Sequence, residues 1–158
     1  MQIIVISDTH RSFHALYDIV EKHRREAALF IHLGDGEREA EEIEMAFPDI
    51  RMERVCGNCD YASLLPAERI IEAAGRRIFL CHGHTAGVKS GTARLEETAR
   101  RLGCSIALYG HTHVADDRYS DGLYIMNPGS PSCPREGRPS YGIIDIVPAG
   151  IVTNIVRL

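Results

Sequence analysis

QIIVISDTH, residues 2–10, decides how the chain is read. Gln2 to Ile6 is a short run rich in β-branched side chains, the pattern of a strand buried on both faces, and polar residues follow at once. In extended chain, residues i and i+2 point the same way, so Asp8 and His10 can offer two metal-capable side chains to one place. The arrangement recurs. Apolar runs at 28–32, 51–56, 77–81 and 105–109 are followed by Gly34-Asp35, Gly57-Asn58, His82-Gly83-His84 and Gly110-His111-Thr112-His113. In open α/β sheets, ligands bind outside the carboxyl ends of strands, so five such loops would converge on one crevice. A single Asp or His after a strand is ordinarily a cap or a turn residue; five in succession are not explained that way.

Between the strands lie helical patterns. Phe13, Leu16, Tyr17 and Val20 fall on one face behind Ser12 as a capping residue. Ala40, Ile43 and Phe47 mark a second helix ended by Pro48. Leu95, Ala99 and Leu102 mark a third, with Ser90 as the expected N-cap and Gly103 as terminator. Hairpins are expected around Gly75, around Ser120-Asp121-Gly122 and around Pro148-Ala149-Gly150. Mixed βαβ units followed by antiparallel strands predict an α/β fold of two packed mixed sheets flanked by helices. At 158 residues the chain fits one domain, 1–158.

Composition narrows the function classes. The net charge is −4, and the eighteen Lys and Arg residues are spread along the chain. No basic stripe results, which argues against general nucleic-acid binding. No apolar run reaches membrane-spanning length, and the first residues do not read as a signal peptide. Five cysteines, an odd number without framework spacing, suit free thiols in a reducing, cytoplasmic setting. Cys56 and Cys59 form a Cys-x-x-Cys pair, which raises a redox or zinc module as an alternative, yet Cys81, Cys104 and Cys133 are solitary and supply no second pair. Gly83 to Ser90 fails as a phosphate loop, because three residues rather than four separate its glycines and Val88 precedes Lys89. Lys89 is retained only as a cation able to touch an anion. His14 and His23 read as helix-surface residues, and His32 as a strand residue or one supporting the site.

Carboxylates, imidazoles and one carboxamide suit a borderline divalent ion such as Mn, Zn, Fe, Co or Ni. Asp8, His10, Asp35, Asn58, His82, His111 and His113 exceed the needs of one ion and fit two sharing a carboxylate.

In order and spacing these blocks resemble the calcineurin-like metallophosphoesterases, and more narrowly their small, single-domain YfcE-type phosphodiesterase branch. The resemblance runs from residue 3 to about residue 147 and includes Asn127-Pro128-Gly129-Ser130. It implies Asp8, His10 and His113 on one metal, Asn58, His82 and His111 on the other, Asp35 bridging, and a bridging hydroxide that attacks phosphorus in small phosphate esters. Manganese is the favoured ion, with zinc, nickel, iron or cobalt as alternatives. Asn58 would also orient substrate.

Cys59 stands where larger members of the superfamily carry a His that protonates the leaving group, so the general acid is open between Cys59, His84 and no acid at all. Arg38 matches a position that often holds Asp or Arg. A homo-oligomer is also implied. The competing reading on the same fold is a non-catalytic interaction scaffold, since the retromer's vacuolar sorting subunit resembles this branch with a degenerate metal site. The loops 85–92 and 130–140 read as surface connections or as gates to the site.

Overall fold

The computed structural model describes residues 1–158. Ten strands and three α-helices are arranged as two five-stranded mixed sheets with helices on both outer faces, the expected sandwich. The first sheet runs β10 (Gly150–Arg157), β9 (Ser140–Val147), β1 (Gln2–Ile6), β2 (Leu29–His32), β3 (Met52–Arg54). In it β1, β2 and β3 are parallel, while β9 is antiparallel to both β1 and β10. The second sheet runs β4 (Glu68–Ala73), β5 (Arg76–Cys81), β6 (Ile106–Leu108), β8 (Leu123–Asn127), β7 (Asp116–Ser120), with β5, β6 and β8 parallel. All three expected hairpins form, as β4–β5, β7–β8 and β9–β10.

The continuous apolar run of β1 has a simple cause. Ile3 and Val5 enter the core between the sheets with Leu29, Ile31, Ile78, Leu80, Ile106 and Leu108. Ile4 and Ile6 face the other way, against α1 (Phe13–His23) and α2 (Glu37–Ala46) through Leu16, Ile19, Val20, Ala40 and Ile43. Both faces are buried, so alternation vanishes, as in parallel sheets covered by helices. Across the molecule, Phe79, Ala107 and Ile125 pack against Leu95 and Ala99 of α3 (Ala93–Arg101).

Two local expectations are corrected. Ser90 ends a short 3₁₀ turn, Val88–Ser90, and Thr92 occupies the N-cap position of α3, its hydroxyl donating to Glu96. His23 is buried rather than a helix-surface residue, because Tyr141 of β9 reaches its Nε2 at 2.8 Å. No helix is long and apolar enough to cross a membrane.

Candidate metal centre

The parallel strands of the two sheets end at the same edge of the sandwich. The loops after β1, β2 and β3 meet those after β5 and β6 there, and glycine makes the approach close. Gly34, at φ 96°, and Gly110 leave no room for a side chain: a Cβ on Gly34 would lie 2.5 Å from the Gly57 nitrogen, and one on Gly110 would collide with the Ser7 hydroxyl. Nine residues other than glycine adopt positive φ, and Asp8, His10, Asp35, His111 and His113 are five of them. Backbone of this kind persists only where surrounding contacts enforce it, and it clusters at functional sites.

Asp8 is fully buried. Its Oδ2 accepts hydrogen bonds from the Ser7 hydroxyl at 2.6 Å and the His111 amide at 3.0 Å. Its Oδ1 has no hydrogen-bond donor. Around that oxygen stand three imidazole nitrogens, His113 Nε2 at 3.2 Å, His10 Nε2 at 3.8 Å and His82 Nε2 at 3.9 Å. Asp35 Oδ2 adds a second carboxylate oxygen, 3.4 Å from His82 Nε2 and 3.7 Å from His10 Nε2.

The backbone fixes two of these rings in orientation. His82 Nδ1 donates to the Leu33 carbonyl at 2.8 Å, and His113 Nδ1 donates to the Cys133 carbonyl at 2.7 Å, so each turns Nε2 inward. His10 and His113 bring their Nε2 atoms to 3.0 Å. Lone pairs and carboxylate oxygens this close call for positive charge among them. The Asp8 carboxylate beside it raises His113 against the effect of burial. Burial would lower His82, but Asp35 and Asp8 raise it. Burial would raise both carboxyls; hydrogen bonds and the neighbouring imidazoles hold Asp8 below, and Asp35 well below, the usual carboxylate range.

The donor set thus has the capacity for one or two divalent ions. Asp8, His10 and His113 form one compact group, Asp8, Asp35 and His82 a second, and His10, Asp35 and Cys59 a third. Asn58 is exposed, with Oδ1 3.2 Å from His82 Nε2. The His111 ring lies 5.0 Å from that of His82, and burial, His82 and Lys89 lower its pKa to about 4. All seven expected ligands therefore come to one place.

The two candidate acids differ in position. Cys59 is exposed, its amide donates to Asp35 Oδ1 at 2.7 Å, and burial of the thiol together with the Asp35 carboxylate pushes its pKa up to about 11. His84 packs behind His82 and His111 at 5.4 and 6.1 Å, with Nδ1 buried and unpartnered. Burial and then His82 lower its pKa. Cys56 is only half-buried, two residues beyond β3, so it is not the strand-ending core residue its sequence context suggests.

Asp60, Thr9 and Glu39 escaped the sequence reading, whereas His32 takes the supporting role expected of it and Asn127–Ser130 belongs to the resemblance. Asp60 Oδ2 accepts from the amides of Asp35 and Gly57, and Oδ1 from those of Gly36 and Glu37, at 2.7–3.0 Å, so one carboxylate caps α2 and ties two site loops together. His32, lowered to about 4 by burial, accepts from the Gly34 amide at Nδ1 and donates from Nε2 to Thr9, whose hydroxyl donates to buried Glu39. Glu39 also accepts from the Arg11 amide. Asn127 donates to the Gly110 carbonyl, and Ser130 donates to that of Asp8, so the Asn127–Ser130 segment braces two site loops. Only its place just after Gly57-Asn58-Cys59 marked Asp60 in the sequence.

Two openings meet at His10, Asp35 and Cys59. A cavity of about 470 Å³ is flanked by Lys89 and Arg135, and a wider groove of about 1040 Å³ runs along α2 past Arg38 and Tyr61. Neither includes His84 in its lining.

Comparison with known proteins agrees with this geometry. Residues 1–148 match the calcineurin-like phosphoesterase superfamily domain. The chain is 34% identical to the probable metallophosphoesterase YsnB of Bacillus subtilis over 92% of this chain and 85% of that protein. It is 28% identical to the phosphodiesterase YfcE of Escherichia coli, covering 92% and 88%. The crystal structure of wild-type Vps29 from Entamoeba histolytica, complexed with Zn²⁺, is similar in fold, with a TM-score of 0.75 at 22% identity over 99% of each chain.

Proposed function

The chain belongs to the calcineurin-like phosphoesterase superfamily, and from that premise we propose that it is a metal-dependent phosphodiesterase of the small YfcE-type branch, acting over residues 1–158 on small phosphate esters. Asp8, His10 and His113 would hold one divalent ion, Asn58, His82 and His111 would hold the other, and Asp35 would serve both. The observation that carries the reading is Asp8 Oδ1, a fully buried carboxylate oxygen with no donor and three imidazole nitrogens turned towards it. A buried anion left in that state is costly unless a cation completes it.

Two divalent ions would supply Lewis acidity to the phosphoryl oxygens and bring the acidity of water near neutrality. The carboxylate, imidazole and carboxamide donors suit manganese, zinc, nickel, iron or cobalt, and the resemblance to the branch favours manganese among them. Four positive charges against Asp8 and Asp35 leave the centre cationic, suited to a diester monoanion. The chain's own groups give it shape. His82 and His113 are held in one tautomer, Asp35 is fixed by the Cys59 amide, and Asn58 stands at the exposed rim. No imidazole stands where larger members of the superfamily carry their acid, Cys59 taking that place, and His84 faces neither opening. Turnover therefore depends on good leaving groups such as aryl oxides. The five free thiols suit a cytoplasmic setting.

Hydrolysis of bis-p-nitrophenyl phosphate by metal-stripped protein resupplied with Mn²⁺ tests this, with Asp35→Asn as the control. Activity should return with metal and be absent in the variant. Confirmed uptake of Mn²⁺, Zn²⁺, Ni²⁺ or Co²⁺ without turnover would defeat the reading in favour of a non-catalytic scaffold.

A further inference from the structure

The two openings that meet at the candidate metal centre differ in charge. The wider groove is lined by six carboxylates, from Asp35 to Asp60, against the guanidinium groups of Arg11 and Arg38. Arg38 is already engaged, with Nε 3.0 Å from Glu42. The smaller cavity has Asp35 as its only carboxylate and carries Lys89 and Arg135. Both cations are exposed, and neither side chain forms an ion pair or hydrogen bond within the protein. They come from different segments. Lys89 sits in the 3₁₀ turn between β5 and α3, while the Arg135 amide donates to the carbonyl of His113 at 3.1 Å, which ties its segment to a site loop.

A diester has two arms, and the openings offer them unlike surroundings. The cavity of about 470 Å³ is within the size range of small-molecule sites, and its rim cations share it with Asn58, His111 and His113. A group held there lies within one substrate's reach of a phosphoryl at the centre. An anionic arm would be repelled by the acidic groove and attracted to the cavity.

Resting on the phosphodiesterase reading, we propose that the preferred substrates are phosphate esters bearing a second anionic group, a phosphate or a carboxylate, and that Lys89 and Arg135 position that group. The two residues act in recognition, away from the reacting phosphorus.

Thymidine 3′,5′-bisphosphate and thymidine 5′-monophosphate differ by one phosphate and separate the second anion from the first. Calorimetric titration of the Mn²⁺-loaded protein should show the bisphosphate binding about tenfold tighter, the scale of one charge-assisted contact made at an exposed rim. In Lys89→Ala/Arg135→Ala the preference should shrink to within about twofold while monophosphate affinity stays within about twofold of wild type. The same contrast should appear as a lower KM when p-nitrophenyl thymidine 5′-phosphate carries an additional 3′-phosphate, with kcat little changed. Equal binding of the two nucleotides by the wild type would overturn the proposal, as would a preference that survives in the double variant. A parallel loss of monophosphate affinity would also overturn it, since the cations would then serve the phosphoryl at the metals. Bis-p-nitrophenyl phosphate turnover is scored separately: its absence alongside an intact bisphosphate preference would remove the enzymatic reading and leave the anion site standing.

Discussion

Asp60 accepts four backbone N–H groups with two oxygens, and none of those donors belongs to its own immediate turn except Gly57. Replacing it with Ala would leave the first amides of α2 and the amides of Asp35 and Gly57 without their partner. Buried donors left unpaired cost about 1–3 kcal/mol each, and water can reach some of these, so the loss should be about 2–4 kcal/mol. For a chain of this length that is a fall in Tm of roughly 4–16 °C. Asp60→Asn, which retains one acceptor oxygen, should lie between. Equal Tm for wild type and Asp60→Ala would show that the cap is not needed. Cys59 invites the opposite expectation. Its amide donates to Asp35 Oδ1, a contact that replacing the thiol leaves in place, so Cys56→Ser/Cys59→Ser should keep metal-dependent aryl diester hydrolysis within about threefold, a barrier change below about 1 kcal/mol. Abolished function in that variant would return the Cys-x-x-Cys to the centre of the chemistry.

At the scale of elements, the site depends on loops that touch through backbone. Gly34→Ala forces a left-handed conformation on Ala and drives its Cβ into the turn after β3; the expected loss is about 2–4 kcal/mol, measured by urea unfolding, together with weaker metal uptake. A second element contact titrates. Tyr141 of β9 accepts from Lys22 at 3.3 Å, and its hydroxyl lies 2.8 Å from His23 Nε2. Burial and then Lys22 lower the His23 pKa, with Glu26 working the other way. The folded state binds this proton less readily than the unfolded chain, so the contribution to stability is full above about pH 6.5 and is lost as pH falls through the depressed value. His23→Gln should flatten that part of the stability profile between pH 7.5 and 5; an unchanged difference from wild type at the two pH values would sink the assignment.

These contacts also mark where sequence reading stops. Five strands with their polar ends, the three helices and the three hairpins are set by local pattern, and all seven expected ligands follow from strand ends. The partner of His23 is 118 residues away and the α2 cap is supplied from 23 to 25 residues downstream. Such pairings depend on sheet order and register, to which a local window is blind. Ser90 illustrates the same limit, since Gly91 separates the 3₁₀ turn from α3 and moves the cap position to Thr92.

For the whole molecule, the distribution of donors between the sheets has a mechanical consequence. Asp8, His10, Asp35 and Asn58 follow strands of the first sheet, whereas His82, His111 and His113 follow strands of the second. Metal at this edge would hold the two sheets together at one end of the inter-sheet core, adding to a contact otherwise made by apolar side chains such as Val5, Ile31, Leu80 and Leu108. Binding to the folded state alone stabilises it by mass action, about 4 kcal/mol at a free concentration a thousandfold above Kd. That corresponds to a rise in Tm of roughly 8–16 °C for a domain of this size. Chelator-treated protein should therefore melt lower than protein reloaded with Mn²⁺, and amide exchange at the ends of β1, β5 and β6 should be faster in the stripped form. In Asp8→Asn, which halves the charge that Asp8 and Asp35 present to the metals, the Mn²⁺-induced rise should be much smaller, while the melting of the metal-free protein separates this effect from damage to the fold. Coincident melting curves for stripped and reloaded wild type, with metal content verified, would mean that the cluster does not bind metal as a bridge between the sheets.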